Sequence, residues 1–349
     1  MRLAVNVPLQ GAAEAVQEAE RLGFDTAFVP EGYRSDAVSL LGYVAARTSR
    51  IHLASGVFQI PGRTPVMAAM TTAMLDNLSG GRFRVGLGIA NAHVTEGWHG
   101  MPFARPLART REYVAVLRAA LAGDHVVHQG EHYRIPLPGG QGDGFRLAGS
   151  LVSPYVPIYL AAVGPRSLEL AGEIADGWFG VFCSPERVIE AVARLRAGRE
   201  RTGRDLTGFE VIPSVPLVVG DDPRTCADAV RPYVARFVSL GDGAGNFYYA
   251  LLERTGHGAA AALVAERFRG GDLAGAAAAV PFEFVDATSL LGPPARIASR
   301  LAAYEAAGVT TIALSPFSPD PADRLNALRV AADALAGPDP ATAEERHVH

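Results

Sequence analysis

One stretch decides the fold, and it runs Thr64-Pro-Val-Met-Ala-Ala-Met-Thr-Thr-Ala-Met-Leu-Asp-Asn-Leu-Ser-Gly-Gly-Arg-Phe-Arg-Val-Gly-Leu-Gly-Ile-Ala-Asn-Ala-His93. Its first half predicts a helix, because Thr64 can cap the N-terminus and Pro65 suits the first helical turn. Apolar side chains then recur at helical spacing, at Met67, Met70, Met74 and Leu78.

The second half of the stretch predicts a buried strand. Ser79-Gly80-Gly81 ends the helix, because glycine tolerates the left-handed turn that follows a helix. Phe83–Ile89 is then a nearly continuous apolar run, which is typical of a strand in a parallel sheet. Gly86 and Gly88 within it leave room for a flat group beside the backbone.

Polar residues follow this strand directly, at Asn91, His93 and Glu96. A helix that turns into a buried strand is one αβ step of a parallel sheet. In such architectures ligands bind just beyond the carboxyl ends of the strands. We therefore expect the functional site at this end of the strand.

Strand and helix patterns alternate along nearly the whole chain, and eight strands are each followed by a helix. This count predicts an α/β fold of the (β/α)8 TIM-barrel class with insertions, and a doubly wound open sheet is the alternative. The eight predicted strands are Leu3–Val7, Thr26–Pro30, Ile51–Val57, Phe83–Ile89, Pro157–Ala162, Gly177–Phe182, Phe209–Val219 and Thr310–Ser315.

The alternation is interrupted twice, so we expect a single barrel domain over residues 1–336 with two insertions. The first insertion, at about 123–156, contains a hairpin around Gln129-Gly130 and a glycine- and proline-rich segment. The second, at about 241–291, is rich in alanine and glycine with helical pieces. Residues 337–349 are interpreted as a flexible tail.

Composition narrows the function classes. The chain has 349 residues and a formal net charge of −4, which gives a nucleic-acid role no electrostatic support. No apolar run approaches the roughly 18 residues of a membrane span, so no membrane partner is expected. Two isolated cysteines, Cys183 and Cys226, are interpreted as reduced thiols of a cytoplasmic protein. All 32 basic residues are arginine, which excludes Schiff-base chemistry on a lysine.

Two loops carry candidate binding groups. The segment 161–168 places Gly164, Arg166 and Ser167 at the start of a helix, where free backbone N–H groups suit a phosphate. The same residues are also ordinary for a turn.

His93, Glu96 and His99 resemble a metal cluster, but their spacing fits no strong metal signature, and we predict no metal site. No Gly-x-Ser-x-Gly elbow is present, which disfavours hydrolysis by an activated serine.

These motifs together resemble those of the bacterial luciferase-like flavin and deazaflavin oxidoreductases. The resemblance rests on Leu75-Asp-Asn-Leu-Ser-Gly-Gly-Arg-Phe-Arg-Val-Gly-Leu-Gly88 and on the segments 164–177 and 291–308. Residues 246–250 and 271–285 are also similar to the helical insertion of that family. The 164–172 segment is most similar to enzymes that use the deazaflavin coenzyme F420, in the style of methylenetetrahydromethanopterin reductase. The resemblance implies a barrel, a homodimer and hydride transfer at C5 of the deazaflavin.

The resemblance also implies roles for individual residues. Gly56–Val57 matches the site of a non-prolyl cis peptide that bulges against the ring system. Gly88 and Asn91 fall near positions that contact the ring or its ribityl chain. Glu31 stands where the family often has an aspartate that contacts the pyrimidine end. The phosphate loop of the family is matched by Val163, Gly164, Arg166 and Ser167.

Two positions depart from the pattern of family members that oxidise alcohols and sugars. Those members carry a histidine and a glutamate where this sequence has Gly32 and Ile89. The usual proton acceptor is therefore missing. Reduction of an activated C=C or C=N bond fits better, with a proton from Glu31, Tyr33 or His93.

Two further functions remain open at this point. The first is an FMN-dependent monooxygenase on the same fold, and the second is a cofactor-binding barrel without chemistry. The substrate is expected to be a small molecule. The loops 8–11, 93–103 and 136–149 would shape its pocket.

Overall fold

The computed structural model describes residues 1–149, 151–241 and 243–336, and its centre is a closed parallel barrel. Each of eight strands pairs in parallel with the next one along the chain, and the last pairs with the first. The predicted (β/α)8 class is confirmed, and the open sheet is excluded. The strands are β1 (Arg2–Asn6), β2 (Thr26–Val29), β3 (His52–Ser55), β4 (Phe83–Gly88), β5 (Ile158–Ala161), β6 (Gly177–Val181), β7 (Glu210–Val219) and β8 (Thr311–Pro316).

Helices surround the barrel, and many of them begin with a proline, whose fixed φ and missing N–H suit the first helical position. The α-helices span Ala12–Arg21, Ala37–Ala45, Pro65–Ser79, Ala92–Gly97, Pro106–Leu121, Pro165–Ile174, Pro185–Glu200, Pro223–Val238, Phe247–Arg254, Gly258–Arg269, Leu273–Ala278, Phe282–Ala287, Pro294–Ala306 and Pro321–Ala336. Short 3-10 turns cover Ile60–Gly62 and Gly243–Gly245.

Three layers of apolar packing hold the fold together. The barrel interior is filled by a small cluster that includes Phe28, Tyr159 and Phe179. A larger cluster fills the space between the strands and the outer helices. A third cluster lies under the helices of 247–287 and includes Phe182.

Both interruptions of the alternation contain regular structure. His128–Gln129 and Arg134–Ile135 form an antiparallel hairpin in the first. In the second, the four helices between Phe247 and Ala287 pack against the helix Pro223–Val238. The strand Leu290–Gly292 then pairs with β7. The domain limits given above stay a prediction, and the tail 337–349 lies outside the described residues.

The Ser-Gly-Gly-Arg turn after the helix Pro65–Ser79 works as an anchor. Gly80 and Gly81 have φ values of 66° and 86°, in the left-handed region that glycine adopts most easily. The Arg82 guanidinium then donates to the backbone carbonyls of Ala45, Thr48 and Ile51. Arg82 therefore pairs carbonyls at and just after the end of helix Ala37–Ala45, and it ties that helix to β4.

The apolar residues that predicted this helix do not face the barrel. Met67, Met70, Met74 and Leu78 are 51–60% exposed, and they form a stripe on the outer side of the helix. The face toward the barrel is built instead from small and polar residues such as Ala68, Ala69 and Thr72. The spacing predicted the helix correctly, but the apolar stripe marks a surface of the molecule.

The end of β3 differs from its predicted extent. The strand stops at Ser55, the Gly56–Val57 peptide bond is cis as the resemblance implied, and Phe58–Gln59 pairs with β4. Ser55 Oγ donates to the Gly86 carbonyl and accepts from the Gly86 N–H, both at 2.8 Å. A Cβ atom on Gly86 would lie 2.1 Å from the Ser55 carbonyl oxygen. Only glycine therefore fits at position 86.

Replacing Gly86 with alanine should destabilise the barrel by about 1–3 kcal/mol or more, because the backbone of β3 must move away from β4. Gly42→Ala is the matched control, since a Cβ atom there meets nothing within 4 Å and alanine favours the helix. Equilibrium unfolding in denaturant measures both. Equal stabilities of the two variants would contradict this close packing of β3 on β4.

Candidate active site

The residues singled out in the sequence lie on one arc of the barrel rim, at the carboxyl ends of β2 to β5. These four strands are consecutive neighbours in the barrel. The loop after β2 holds Glu31 and Tyr33, and the cis peptide follows β3. Gly88 ends β4, and Asn91 and His93 lie just beyond it. The loop after β5 supplies Val163, Gly164, Arg166 and Ser167.

The Gly56–Val57 backbone is partly exposed where β3 and β4 end. A Cβ atom on Gly88 would lie 2.6 Å from Cγ2 of Val57, so glycine is needed for the Val57 side chain to approach. Val57 packs against the side chains that fill the barrel interior. The rim therefore presents a partly exposed backbone step at Gly56–Val57, seated on apolar side chains, and such a surface suits a planar ring system.

The helix Pro165–Ile174 opens toward the same arc without a side-chain cap. Ser167 Oγ accepts from the Gly164 N–H and donates to the Gly164 carbonyl, which fixes the turn. A Cβ atom on Gly164 would have only Ser167 Oγ within 4 Å, at 3.9 Å, so the space in front of the turn is open. Arg166 is exposed and forms no ion pair within the described ranges. This arrangement fits an anionic group.

Asn91, His93 and Glu96 line a cleft of about 330 Å³, closed on its other side by Leu240 and Gly241. Asn91 caps the short helix Ala92–Gly97 by accepting from the Val94 N–H at 2.9 Å. His93 is exposed in the cleft, and no described residue hydrogen-bonds to its ring. Its ring nitrogens are therefore free to interact with a bound molecule.

Glu31 is held in a tight ion pair. Its carboxylate accepts from both terminal nitrogens of Arg63, at 2.9 and 2.7 Å, and from the Gln59 N–H at 2.9 Å. Both side chains are largely buried, and the Arg63 guanidinium also lies over the Phe58 ring. Glu31 could donate a proton only if its hydrogen bonds to Arg63 and Gln59 were broken. This arrangement argues against Glu31 as the acid, and it gives Glu31 the task of fixing the segment after the cis peptide.

Tyr33 lies at the outer edge of the mouth. Its hydroxyl accepts from Arg236, with Nε at 2.7 Å, and the guanidinium also covers the Tyr33 ring. Trp98 packs edge-on against the same ring, with centroids 6.5 Å apart. The hydroxyl hydrogen of Tyr33 has no acceptor in the described part of the chain, so it remains available to a ligand.

The Cys183 thiol follows β6, and burial raises its pKa to about 12, so it is a neutral packing group and not a nucleophile. Among the described residues, no group of three His, Cys, Asp or Glu side chains is placed to hold a metal ion. No described helix is long and apolar enough to cross a membrane.

Sequence reasoning missed Arg63, Gln59 and Arg236. Gln59 and Arg63 lie 28 and 32 residues after Glu31, in the segment that follows β3. No local sequence pattern connects them to Glu31. Arg236 is some 200 residues from Tyr33 and belongs to a different helix. The lysine-free composition drew attention to arginine, but it could not select these two from the 32 arginines.

Comparison with known proteins adds to this geometry. The sequence model of one family, described as luciferase-like monooxygenase, matches residues 2–311. The chain belongs to this luciferase-like family. The resemblance drawn from the sequence motifs is thereby confirmed.

Individual relatives are similar over nearly their whole length. The luciferase-like chain is 36% identical to a protein of Mycobacterium tuberculosis that carries the provisional name of a coenzyme F420-dependent oxidoreductase, covering 92% of this chain and 95% of that one. It is 30% identical to the 5,10-methylenetetrahydromethanopterin reductase of Archaeoglobus fulgidus, over 87% and 89% of the two chains. The structure of the coenzyme F420-dependent tetrahydromethanopterin reductase of Methanopyrus kandleri superposes with a TM-score of 0.82 at 25% identity, covering 95% and 97%.

A double-mutant cycle tests the anchoring role of Glu31. Glu31→Gln and Arg63→Gln should each destabilise the fold by about 2 kcal/mol or more, because each leaves a largely buried charge unpaired. The double variant should lose less than the sum, with a coupling of about 1–2 kcal/mol. The exposed pair Arg105–Glu131 serves as control, with a coupling below about 1 kcal/mol. Additive losses at Glu31 and Arg63 would refute the anchor.

Proposed function

We propose that the chain is a coenzyme F420-dependent oxidoreductase that reduces an activated C=C or C=N bond of a small organic substrate. One observation carries the proposal: the partly exposed Gly56–Val57 backbone lies on the same arc as the helix N-terminus at Gly164, which has no side-chain cap. A planar ring with an anionic tail matches the two features together. The names of the relatives in Mycobacterium tuberculosis and Archaeoglobus fulgidus support the same cofactor.

The chain's residues divide the work of holding such a molecule. The backbone around Gly56, Val57 and Gly88 would support the ring, and Asn91 would face it from the cleft. The first-turn N–H groups of Arg166 and Ser167 would bind the phosphate, with the helix dipole and the Arg166 guanidinium favouring its charge. When bound and reduced, the deazaflavin supplies a hydride at C5, and the chain orients the substrate and excludes water.

We assign proton donation to His93. Reduction of an activated double bond needs a proton at the atom next to the one that receives the hydride. His93 is the titratable group that lines the cleft with an uncommitted ring, whereas Glu31 is occupied by Arg63 and Gln59. Tyr33, whose hydroxyl hydrogen is free, is the second candidate, at the outer edge of the mouth.

We also propose that the protein is a cytoplasmic homodimer. The stripe of Met67, Met70, Met74 and Leu78 presents four large apolar side chains along one helix, and such a patch marks an interaction surface. A second copy is the fitting partner, because two identical stripes can pack helix against helix around a twofold axis. Val152 lies against Gly81 and is also exposed, so it extends the patch.

Cofactor binding tests the phosphate loop. The purified chain should quench the fluorescence of added coenzyme F420 on binding, and Arg166→Gln should weaken the affinity by roughly 10-fold, as expected for one charge-assisted hydrogen bond. Arg196→Gln, an exposed arginine on the next helix, is the control and should change nothing. Tight binding of FMN with oxygen uptake, and no binding of F420, would instead favour a monooxygenase.

Turnover tests the proton donor. With reduced F420 and a conjugated enone such as cyclohexenone, His93→Gln should lower the rate about 10²- to 10⁴-fold while leaving F420 affinity unchanged. His125→Gln, an exposed histidine of the first insertion, is the control. An unchanged rate would remove His93 from the mechanism. Binding of F420 without turnover of any electrophile would favour a non-catalytic barrel.

The oligomeric state tests the stripe. Met70→Glu combined with Met74→Glu should convert a dimer to a monomer, since like charges would face each other across the twofold axis. Ile189→Glu is the control, because Ile189 is equally exposed on a helix away from the stripe. Analytical ultracentrifugation gives the mass. A monomeric wild type, or a dimeric double variant, would exclude this interface.

A further inference from the structure

Five aromatic side chains form a wall on the opposite side of the barrel mouth, and we call them the aromatic wall. They come from four separate segments and pack with ring centroids 4.8–5.6 Å apart. Phe182 and Phe317 directly follow β6 and β8, so they mark the carboxyl ends of these strands. The members are Phe182, Tyr233, Phe237, Tyr248 and Phe317.

The aromatic wall faces the proposed cofactor arc across the barrel mouth. Val57, beside the cis peptide, and Val181, at the end of β6, pack against the same barrel-interior cluster. Val181 also packs against the cluster that contains the aromatic wall. Continuous apolar packing therefore leads from Val57 to the wall.

The aromatic wall contains two hydroxyl groups, on Tyr233 and Tyr248. Tyr233 and Tyr248 are half-buried, and neither hydroxyl has a hydrogen-bond partner within the described ranges. Neither hydroxyl oxygen is among the buried polar atoms that lack a partner, so both reach solvent and can meet a ligand. The buried Tyr304 donates to the Cys183 carbonyl, and the buried Tyr159 accepts from Arg84. A wall with only a packing role would be served as well by phenylalanine.

Both hydroxyls are protonated at neutral pH and can donate a hydrogen bond. Desolvation raises the pKa of Tyr248 to about 12, and it raises the pKa of Tyr233 as well. The backbone of Phe182 gives a further sign, since its φ of 53° lies in a region that bulky residues rarely adopt. This unusual conformation places Phe182 among the other four rings.

We propose that the aromatic wall binds the substrate, and that the substrate is a planar, apolar compound with a carbonyl group that accepts from Tyr233 and Tyr248. This inference rests on the proposed function and specifies its substrate class as a conjugated ketone. Hydrogen bonds to the carbonyl oxygen draw electrons from the conjugated C=C bond. The β-carbon then accepts the hydride, the α-carbon accepts the proton, and the carbonyl is retained.

Binding of benzylideneacetone to the chain, with and without F420, tests the wall. The hydrocarbon β-methylstyrene, which lacks the carbonyl, is the second probe. Tyr233→Phe and Tyr248→Phe should each weaken the binding of the ketone by roughly 3- to 10-fold and leave that of the hydrocarbon unchanged. Tyr43→Phe, on an outer helix, is the control and should alter neither. Hydrogen bonding should also shift the ultraviolet absorption of the bound ketone in the wild type, and this shift should shrink in both variants.

The possible failures are distinguishable. If the two variants bind the ketone as tightly as the wild type, or if the wild type does not bind it, the aromatic wall is not the substrate site. If the wild type binds the ketone through the two tyrosines but does not bind F420, the wall stands and the proposed cofactor is wrong. F420 affinity itself should be unchanged in Tyr233→Phe and Tyr248→Phe, and a loss there would assign the wall to the cofactor instead.

Discussion

The close approach of β3 to β4 is the constraint on which the barrel rim depends. Ser55 meets Gly86 with two hydrogen bonds, and no atom larger than hydrogen fits between the Ser55 carbonyl and the Gly86 α-carbon. The chain after Ser55 is thereby directed over β4, where Val57 covers Gly88 and Gln59 pairs with it. Glu31 reaches this segment from β2 and holds it through Gln59 and Arg63. Three neighbouring strands therefore share one rigid rim.

The opposite end of the barrel is closed by charge. Arg84 lies 3.5 Å from Asp25 and donates to the Tyr159 hydroxyl, and Arg2 bridges Asp25 and Glu210. These groups come from strands on different sides of the barrel, so they fix its amino end. In (β/α)8 barrels this face contributes stability, and the carboxyl face contributes chemistry. The arrangement of charges in this chain follows that division.

Much of the barrel could be predicted, because periodicity and turn residues are local signals. Each strand lies within its predicted range, apart from shifts of one residue in β1 and β8. The direction of side chains was harder to predict. Spacing alone cannot tell an apolar stripe that faces the barrel from one that faces solvent, as Met67 and Met74 illustrate. Glu31 was placed correctly at the rim, but its pairing with Arg63 depends on the course of the backbone after β3. The aromatic wall joins residues from 182 to 317, which no local pattern connects.

The two sides of the mouth also differ in how they are built. The arc from β2 to β5 uses short loops, glycines and backbone groups, so its shape is set by the barrel itself. The aromatic wall depends on the helices inserted after β7, which pack on Pro223–Val238 and bring Tyr248 beside Phe237. Changes in the inserted helices could alter the wall without moving Gly88 or Gly164. If the arc from β2 to β5 holds the cofactor and the aromatic wall holds the substrate, hydride delivery depends on the barrel and substrate choice depends on the inserted helices. The two properties can then vary separately on one fold.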